Sequence, residues 1–464
     1  MYNRKDQIPP PPPELEEVFK QGRIVGEHAQ QLFPDGIKIG REFNPNRMSE
    51  KSLNALFRSV PVFEAGFVCH QAYALADILV PAQNGSWDLI EVKSSTGIKE
   101  EHLLDAAFQK YVYSGAGVKV NRCYLMHLNK EYIRNGDLEV DKLFKKVDVS
   151  EEVEQLLPDT QKNIGILLNL INGPEPNTKI GMHCSEECPL WEICTNSLPK
   201  DNIFNLRSGK KIALALFEQG IIRIRDIPEY VELNKKQKIQ LNSHLNNKPY
   251  VNKAEIKAFL DELAYPLYFL DFETIAPAIP TYDQTHPYQD IPFQYSLHVQ
   301  NSKGSKPIHY EYLAPGDIDP RPEVLKQLKD RLGSSGSIVA YNAAYELKCI
   351  GSSVKVNPGF KSWFDQIRLR FADLLIPFKN FYYYHPEQLG SASLKKVLPA
   401  LTDESYEGME IGGGRRASAE YLRITFDKGI DNKERREIRR ALTKYCGLDT
   451  RGMIDILDVL EKVI

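Results

Sequence analysis

The sequence predicts an α/β protein of two or three domains, and three observations carry that expectation. Short apolar runs of strand length (267–270, 291–299 and 337–340) precede a strongly helix-periodic stretch around Tyr445. Earlier in the chain, two strand-like runs (74–80 and 87–93) flank Gln83-Asn-Gly-Ser86, an Asn-Gly turn that reads as a β-hairpin. At 464 residues there is room for two or three domains with cores of their own.

Composition narrows the class. Charged residues at 26% and hydrophobic ones at 42% are ordinary for a globular protein. No run approaches the length of a membrane span and the N-terminus has no apolar signal core, so a cytoplasmic protein without membrane contact is expected. The net charge of −3 advertises no global basic field. A nucleic-acid partner would therefore be held by local patches. Seven cysteines, three of them clustered, suit a reducing compartment and a metal or cluster site better than a disulfide framework.

In chain order, five prolines at 9–13 form a polyproline spacer before a helix. That helix carries Leu15, Val18, Phe19, Val25, Ala29, Leu32 and Phe33 on one stripe. In the hairpin, Asp77 sits on the first strand and Glu91-x-Lys93 on the second, so Glu91 and Lys93 share a face. An acid able to hold a cation then lies beside an amine able to meet water or phosphate. A helix follows with Gln109-x-x-x-Tyr113.

These motifs, in this order, resemble the PD-(D/E)xK nucleases, and within them the RecB-like branch. The resemblance implies that Asp77 and Glu91 bind Mg²⁺ or Mn²⁺ and that Lys93 activates water or stabilises developing charge. It also implies that Gln109 and Tyr113 flank the site and the DNA strand. The branch usually carries G-x-x-x-H on its first helix; here Gly22 is followed by Gly26, with Glu27 and His28 just past it.

Cys184, Cys188 and Cys194 are close enough in sequence for a metal or an iron–sulfur cluster. Several RecB-like nucleases brace their C-terminal end with a [4Fe–4S] cluster on a similar trio plus one upstream cysteine. The fourth ligand here is Cys69 if the fold brings it near, or His183 in a Zn²⁺ site. Cys123, Cys349 and Cys446 read as core residues.

The segment 205–250 holds nine Lys or Arg against four acids. Its short helices, with Lys210 and Lys211 after Gly209, are similar to helix-hairpin-helix modules that grip a nucleic-acid backbone, or form a solvated linker.

The C-terminal third opens with Tyr265-Pro-Leu-Tyr-Phe-Leu-Asp271-Phe-Glu273. Asp271 and Glu273 leave a buried strand on one face with Phe272 on the other. Two such carboxylates repel unless a hard divalent cation lies between them. Asn342-Ala-Ala-Tyr-Glu346 and Tyr445-Cys-Gly-Leu-Asp449 follow, with Asp373 as a reserve ligand. The three motifs resemble the DEDD exonucleases of the ribonuclease H-like (DnaQ-like) superfamily, in the tyrosine form, with Glu346 where Asp is usual. That resemblance implies two Mg²⁺ or Mn²⁺ ions on Asp271, Glu273, Glu346 and Asp449, with Tyr445 orienting the attacking water. The aromatic run Tyr382 to Tyr384 with His385 could stack a terminal base. Lys395 and Lys396 at a helix start, and Arg415 and Arg416 in a glycine-rich loop, could meet phosphates.

The whole resembles a bacterial family that fuses the two nuclease types. The expected architecture is an N-terminal PD-(D/E)xK restriction-endonuclease-like domain over 1–200, a small helical connector over 201–262 and a C-terminal ribonuclease H-like mixed-sheet domain over 263–464. The expected function is metal-dependent phosphodiester hydrolysis, a 3′–5′ exonuclease on single-stranded DNA ahead of RNA. The alternatives are an RNA exonuclease and a catalytically degenerate nucleic-acid-binding scaffold.

Overall fold

In the computed structural model, which describes residues 8–185 and 188–464, the chain is mixed α/β and builds two separate larger sheets. The first has six strands in sequence order: β1 (Ile37–Lys38), β2 (Val62–Cys69), β3 (Ala72–Pro81), β4 (Trp87–Lys93), β5 (Val120–Leu128) and β6 (Phe144–Asp148). β2, β3 and β4 form an antiparallel meander, and β5 lies parallel to β4 because the helix Glu100–Gly115 carries the chain back across the sheet. The β3–β4 turn is a single 3₁₀ turn in which Asn84 and Gly85 both take positive φ, a conformation these two residue types tolerate.

β2 is covered on both faces and buries consecutive residues, whereas the first half of β3 alternates buried Ala72, Ala74 and Ala76 with exposed Tyr73 and Leu75. Phe67, Leu79, Leu89 and Leu125 pack with Tyr113 of the helix Glu100–Gly115. On the other face Phe63, Ile78, Ile90 and Met126 meet Val25 and Ala29 of the first helix, Pro13–Gln30. Only part of that helix's expected apolar stripe is buried: Val18 and Phe19, nearer its start, are exposed. Asp77, Glu91 and Lys93 lie on the face that the helix Glu100–Gly115 covers, by their two-residue spacing from Leu79 and Leu89.

The connector has a core of its own, built on Ile203, Leu206, Ala213, Leu216 and Ile224. It ends sooner than expected. β7 (Tyr250–Val251) pairs with Tyr383–Tyr384, and Ile256 and Phe259 of the helix Lys253–Asp261 enter the core of the second sheet. Residues 250–262 are therefore packed with the C-terminal domain.

The second sheet has β8 (Leu267–Ile275) at its centre. β9 (Ile291–Gln300) and then β10 (Ile308–Leu313) extend it antiparallel on one side; β11 (Ser337–Ala340) and β12 (Phe371–Asp373) extend it parallel on the other. Tyr268, Leu270 and Phe272 face the helices Arg321–Arg331 and Ala343–Val356. Phe269 faces the opposite way, toward the 31-residue helix Asn432–Lys462. Asp431 caps that helix by accepting from the backbone N–H groups of Lys433 and Glu434. β13 (Tyr383–Tyr384) completes the small ribbon with β7, and both tyrosines are buried, so packing is their role.

The two sheets are tied by the loop between β8 and β9. Arg134 of the first domain donates to the carbonyls of Pro280 and Thr281, and Gly136 N–H donates to Asp283. Ala278 is buried in the first domain's core and donates to Gln21. The loop is anchored from behind by Arg321, 1% exposed, which pairs with Asp319 and donates to the carbonyl of Asp283. Among the described residues no helix is long and apolar enough to cross a membrane.

Candidate metal centres

At the centre of the second sheet the three acidic motifs converge. β8 presents Asp271 and Glu273 on the face toward the helix Asn432–Lys462, which brings Tyr445, Cys446 and Asp449 against them. Glu346 arrives from the first turn of the helix Ala343–Val356. That helix starts where it does because Asn342 takes φ +81° and its N–H donates to Asp373. Asp373 also accepts from Leu375 N–H on the same oxygen, Oδ1, which gives it a structural role at the start of this helix. Glu273, Glu346 and Asp449 are each buried.

The electrostatics are those of uncompensated carboxylates. Burial first, and then the charge of Asp449, holds Asp271 well above the usual carboxylate range. Burial with Asp271 and Asp449 does the same to Glu273; burial with Asp271, Glu273 and Asp449 does so to Glu346. Asp449 is pushed up to about 6 by burial, held back by Tyr406, Lys395 and Tyr445. Oε2 of Glu346 is buried with no hydrogen-bond partner. Among the described residues, oxygen atoms of Asp271 and Glu273 and the sulfur of Cys446 lie within 4.8 Å of one another. Orphaned buried oxygen in a crowd of acids is the environment a divalent cation relieves, so these residues fit Mg²⁺ or Mn²⁺.

Lys395 stands at the edge of this centre, its ammonium 5.5 Å from the Tyr445 ring. The glycines of 412–414 allow a close approach there: a Cβ on Gly413 would stand 2.6 Å from the Lys395 ammonium nitrogen. Gly414, Arg415 and Arg416 are not a loop, as expected, but the first turn of the helix Gly414–Phe426. The i,i+4 pair of Arg416 with Glu420 favours that turn. Arg415 and Lys396 are exposed.

In the first domain Asp77 accepts from Val92 N–H at 2.7 Å, and Glu91 accepts from Gln109 at 2.6 Å. Burial and the neighbouring Glu91 raise Asp77 well above its usual range. Lys93 bridges Glu91 at 3.0 Å and Asp105 at 2.6 Å. Burial alone would lower its ammonium, but the two carboxylates outweigh burial and hold it above the ordinary value. Lys93 is thus held as a cation between the two acids. Tyr113 does not flank an open site. It is fully buried, donates to Ala65 carbonyl and accepts from Ala76 N–H, so it pins β2 to β3. Its seat on the core face of the helix, four residues after Gln109, is what removes it from solvent. Glu27 is exposed, and His28 is half-buried with its Nδ1 unpaired.

The cysteine trio is less assembled. Cys184 and Cys188 are half-buried and Cys194 is exposed. Tetrahedral zinc at about 2.3 Å from sulfur requires sulfurs roughly 3.8 Å apart. No three of these thiols and His183 lie within 4.8 Å of one another among the described residues. Cys69 is buried in the first core against Gly115, with its sulfur 3.0 Å from His70. Lys210 donates to the carbonyl of Cys184 at 2.7 Å, and exposed Lys211 shares with it, Trp191 and Phe204 a cleft of about 780 Å³.

Three contributors escaped the sequence reading. Cys446 reads as core, yet it lies three residues before Asp449 and so on its helical face, a signal that was available. Tyr406, which donates to Asp449, lies in a turn far from the motifs and carries no signal. Nor does Asp105, since an exposed helical acid is common.

A family profile described as a domain of unknown function (DUF2779) matches residues 268–393. It spans Asp271, Glu273 and Glu346 and ends before Tyr445 and Asp449. The chain is also similar to an uncharacterized protein (UU173) of Ureaplasma parvum, 25% identical over 250 residues. That alignment covers 48% of this chain, which spans about a third, 35%, of the relative's length. No solved structure matches.

Proposed function

We propose that this chain is a metal-dependent nuclease whose second domain removes nucleotides from the 3′ end of single-stranded DNA. The observation that carries the reading is the convergence of Asp271, Glu273, Glu346 and Asp449, all raised by burial and the first three also by the neighbouring acids, with Oε2 of Glu346 buried and unpaired. The strand order β10-β9-β8-β11-β12, with β8 carrying the first motif, supports a ribonuclease H-like domain of the DEDD type. The helix–meander–helix–strand order of the first domain supports a PD-(D/E)xK reading.

In this reading Asp271, Glu273, Glu346 and Asp449 hold Mg²⁺ or Mn²⁺, which supplies Lewis acidity to the phosphodiester and lowers the pKa of bound water. Tyr445 and Tyr406 fix the Asp449 carboxylate. Lys395, near enough to lower Asp449 and Glu273, places a positive charge where a phosphate would enter. In the first domain Asp77 and Glu91 would hold a cation, and Lys93 would stabilise charge on the phosphate. The cysteine trio is where a [4Fe–4S] cluster would bind, and iron content of purified protein tests that part.

The deciding experiment compares hydrolysis of 3′- and 5′-labelled single strands by wild type, Asp271→Ala and Lys93→Ala. Stepwise loss from the 3′ end should vanish in Asp271→Ala and persist in Lys93→Ala. RNA strands in the same panel decide the substrate sugar. An absence of metal-dependent cleavage on every strand would sink the enzyme reading in favour of a binding scaffold.

A further inference from the structure

Cys446 is buried in the floor of the acidic centre. Its sulfur lies 3.7 Å from Oδ2 of Asp271, and it is the third member of the group that also contains Glu273. Zinc-like geometry, with sulfur at about 2.3 Å and oxygen at about 2.0 Å from a tetrahedral ion, sets sulfur and oxygen roughly 3.5 Å apart. The observed separation matches that requirement. Glu346, whose charge Asp271 and Glu273 oppose, is only 2% exposed and its buried Oε2 has no hydrogen-bond partner. A buried carboxylate oxygen without a donor independently favours a cation as its partner.

Mg²⁺ draws nothing from a sulfur donor, whereas Zn²⁺ and Cd²⁺ favour thiolate. We propose that Asp271, Glu273 and Cys446 form a site for a thiophilic divalent cation, Zn²⁺ or Cd²⁺, which competes with Mg²⁺ or Mn²⁺ for the same centre. The proposal rests on the metal-centre reading above and adds to it a means of shutting the site. On binding, the Cys446 S–H bond breaks, its electron pair forms the bond to the cation, and the proton leaves to solvent. The cation sheds water in exchange, and no oxidant or reductant is involved. The competing account is that the thiol packs as a small core group and points weakly at the Asp271 carbonyl, 3.9 Å away.

Competition for bound Mn²⁺ separates the two. The full-length chain carrying Glu91→Gln, which removes an acid of the first domain's centre, is loaded with Mn²⁺, and free Mn²⁺ is followed by electron paramagnetic resonance as Cd²⁺ is added. Cys446→Ser is compared after its own Mn²⁺ affinity has been measured and its fold checked by thermal melting. The three cysteines at 184, 188 and 194 take up the same Cd²⁺ in both proteins. The expected result is that Cys446→Ser requires about tenfold more Cd²⁺ to release Mn²⁺. Superimposable displacement curves overturn the proposal and leave the nuclease reading intact. Mn²⁺ binding that is indifferent to Asp271→Asn overturns the metal centre itself, and this proposal with it.

Discussion

The hydroxyl of Tyr406 donates to Oδ1 of Asp449, although 43 residues separate the two in the chain. Tyr445, one turn before Asp449 on the same helix, lies against the same carboxylate, so two phenols stabilise one buried acid. Burial nevertheless wins and Asp449 stands near 6. Tyr406→Phe removes one donor and should move Asp449 higher. The half-point of Mn²⁺ binding should then shift to higher pH, with activity falling about tenfold at pH 6 and much less at pH 8.5. A pH profile of both quantities checks this, and a uniform loss at every pH would contradict it.

The acid cluster makes stability depend on pH in a defined direction. Asp271, Glu273, Glu346 and Asp449 are all raised in the folded state, so folding is least opposed when they are protonated, below their unfolded values. That contribution is lost as pH rises through the folded values, about 6 for Asp449. Metal-free protein should therefore melt at a lower temperature at pH 7.5 than at pH 5. Mn²⁺ should raise the melting temperature at pH 7.5 and have little effect at pH 5. Asp271→Asn should flatten the metal-free dependence and stabilise the neutral-pH fold by roughly 1–3 kcal/mol while abolishing hydrolysis. Differential scanning calorimetry across pH, with and without Mn²⁺, reads all three.

Tyr113 separates fold from chemistry. Its hydroxyl satisfies Ala76 N–H and Ala65 carbonyl inside the first core, and phenylalanine leaves both backbone groups short of a partner. Tyr113→Phe should lower stability by about 1–3 kcal/mol in urea denaturation. The metal dependence of 3′-end hydrolysis should not move; a specific loss of DNA binding without loss of stability would return Tyr113 to the substrate.

Arg321 should govern how the two domains are held. It is buried, pairs with Asp319 and supports the loop that meets Arg134 and Gln21 of the first domain. Arg321→Ala should cost roughly 3 kcal/mol, because breaking a buried pair strands its partner and the carbonyls it served. Limited proteolysis should then cut within 276–290, and an unchanged digestion pattern would count against the anchoring role.

What the sequence determined by itself was local. The apolar run before Asp271, the Asn-Gly turn before Glu91 and the periodicity around Tyr445 are patterns of two to four residues, and the backbone periods of strand and helix read them directly. The same periods placed Asp271 with Glu273, and Tyr445 with Asp449, on common faces before any packing was known. The glycine-rich stretch at 412–416 misread as a loop because Gly413 ends the extended segment just where the Arg416–Glu420 pair begins a helix. Tertiary structure alone decided the rest. It brought Tyr406 to Asp449, set the Cys446 sulfur beside Asp271 and Glu273, buried Tyr113 and tied Lys93 to Asp105. Each of those pairings joins distant parts of the chain or depends on which face a neighbouring element covers. Such relations are set by the summed burial of whole elements, not by any pattern that a short stretch of sequence can carry.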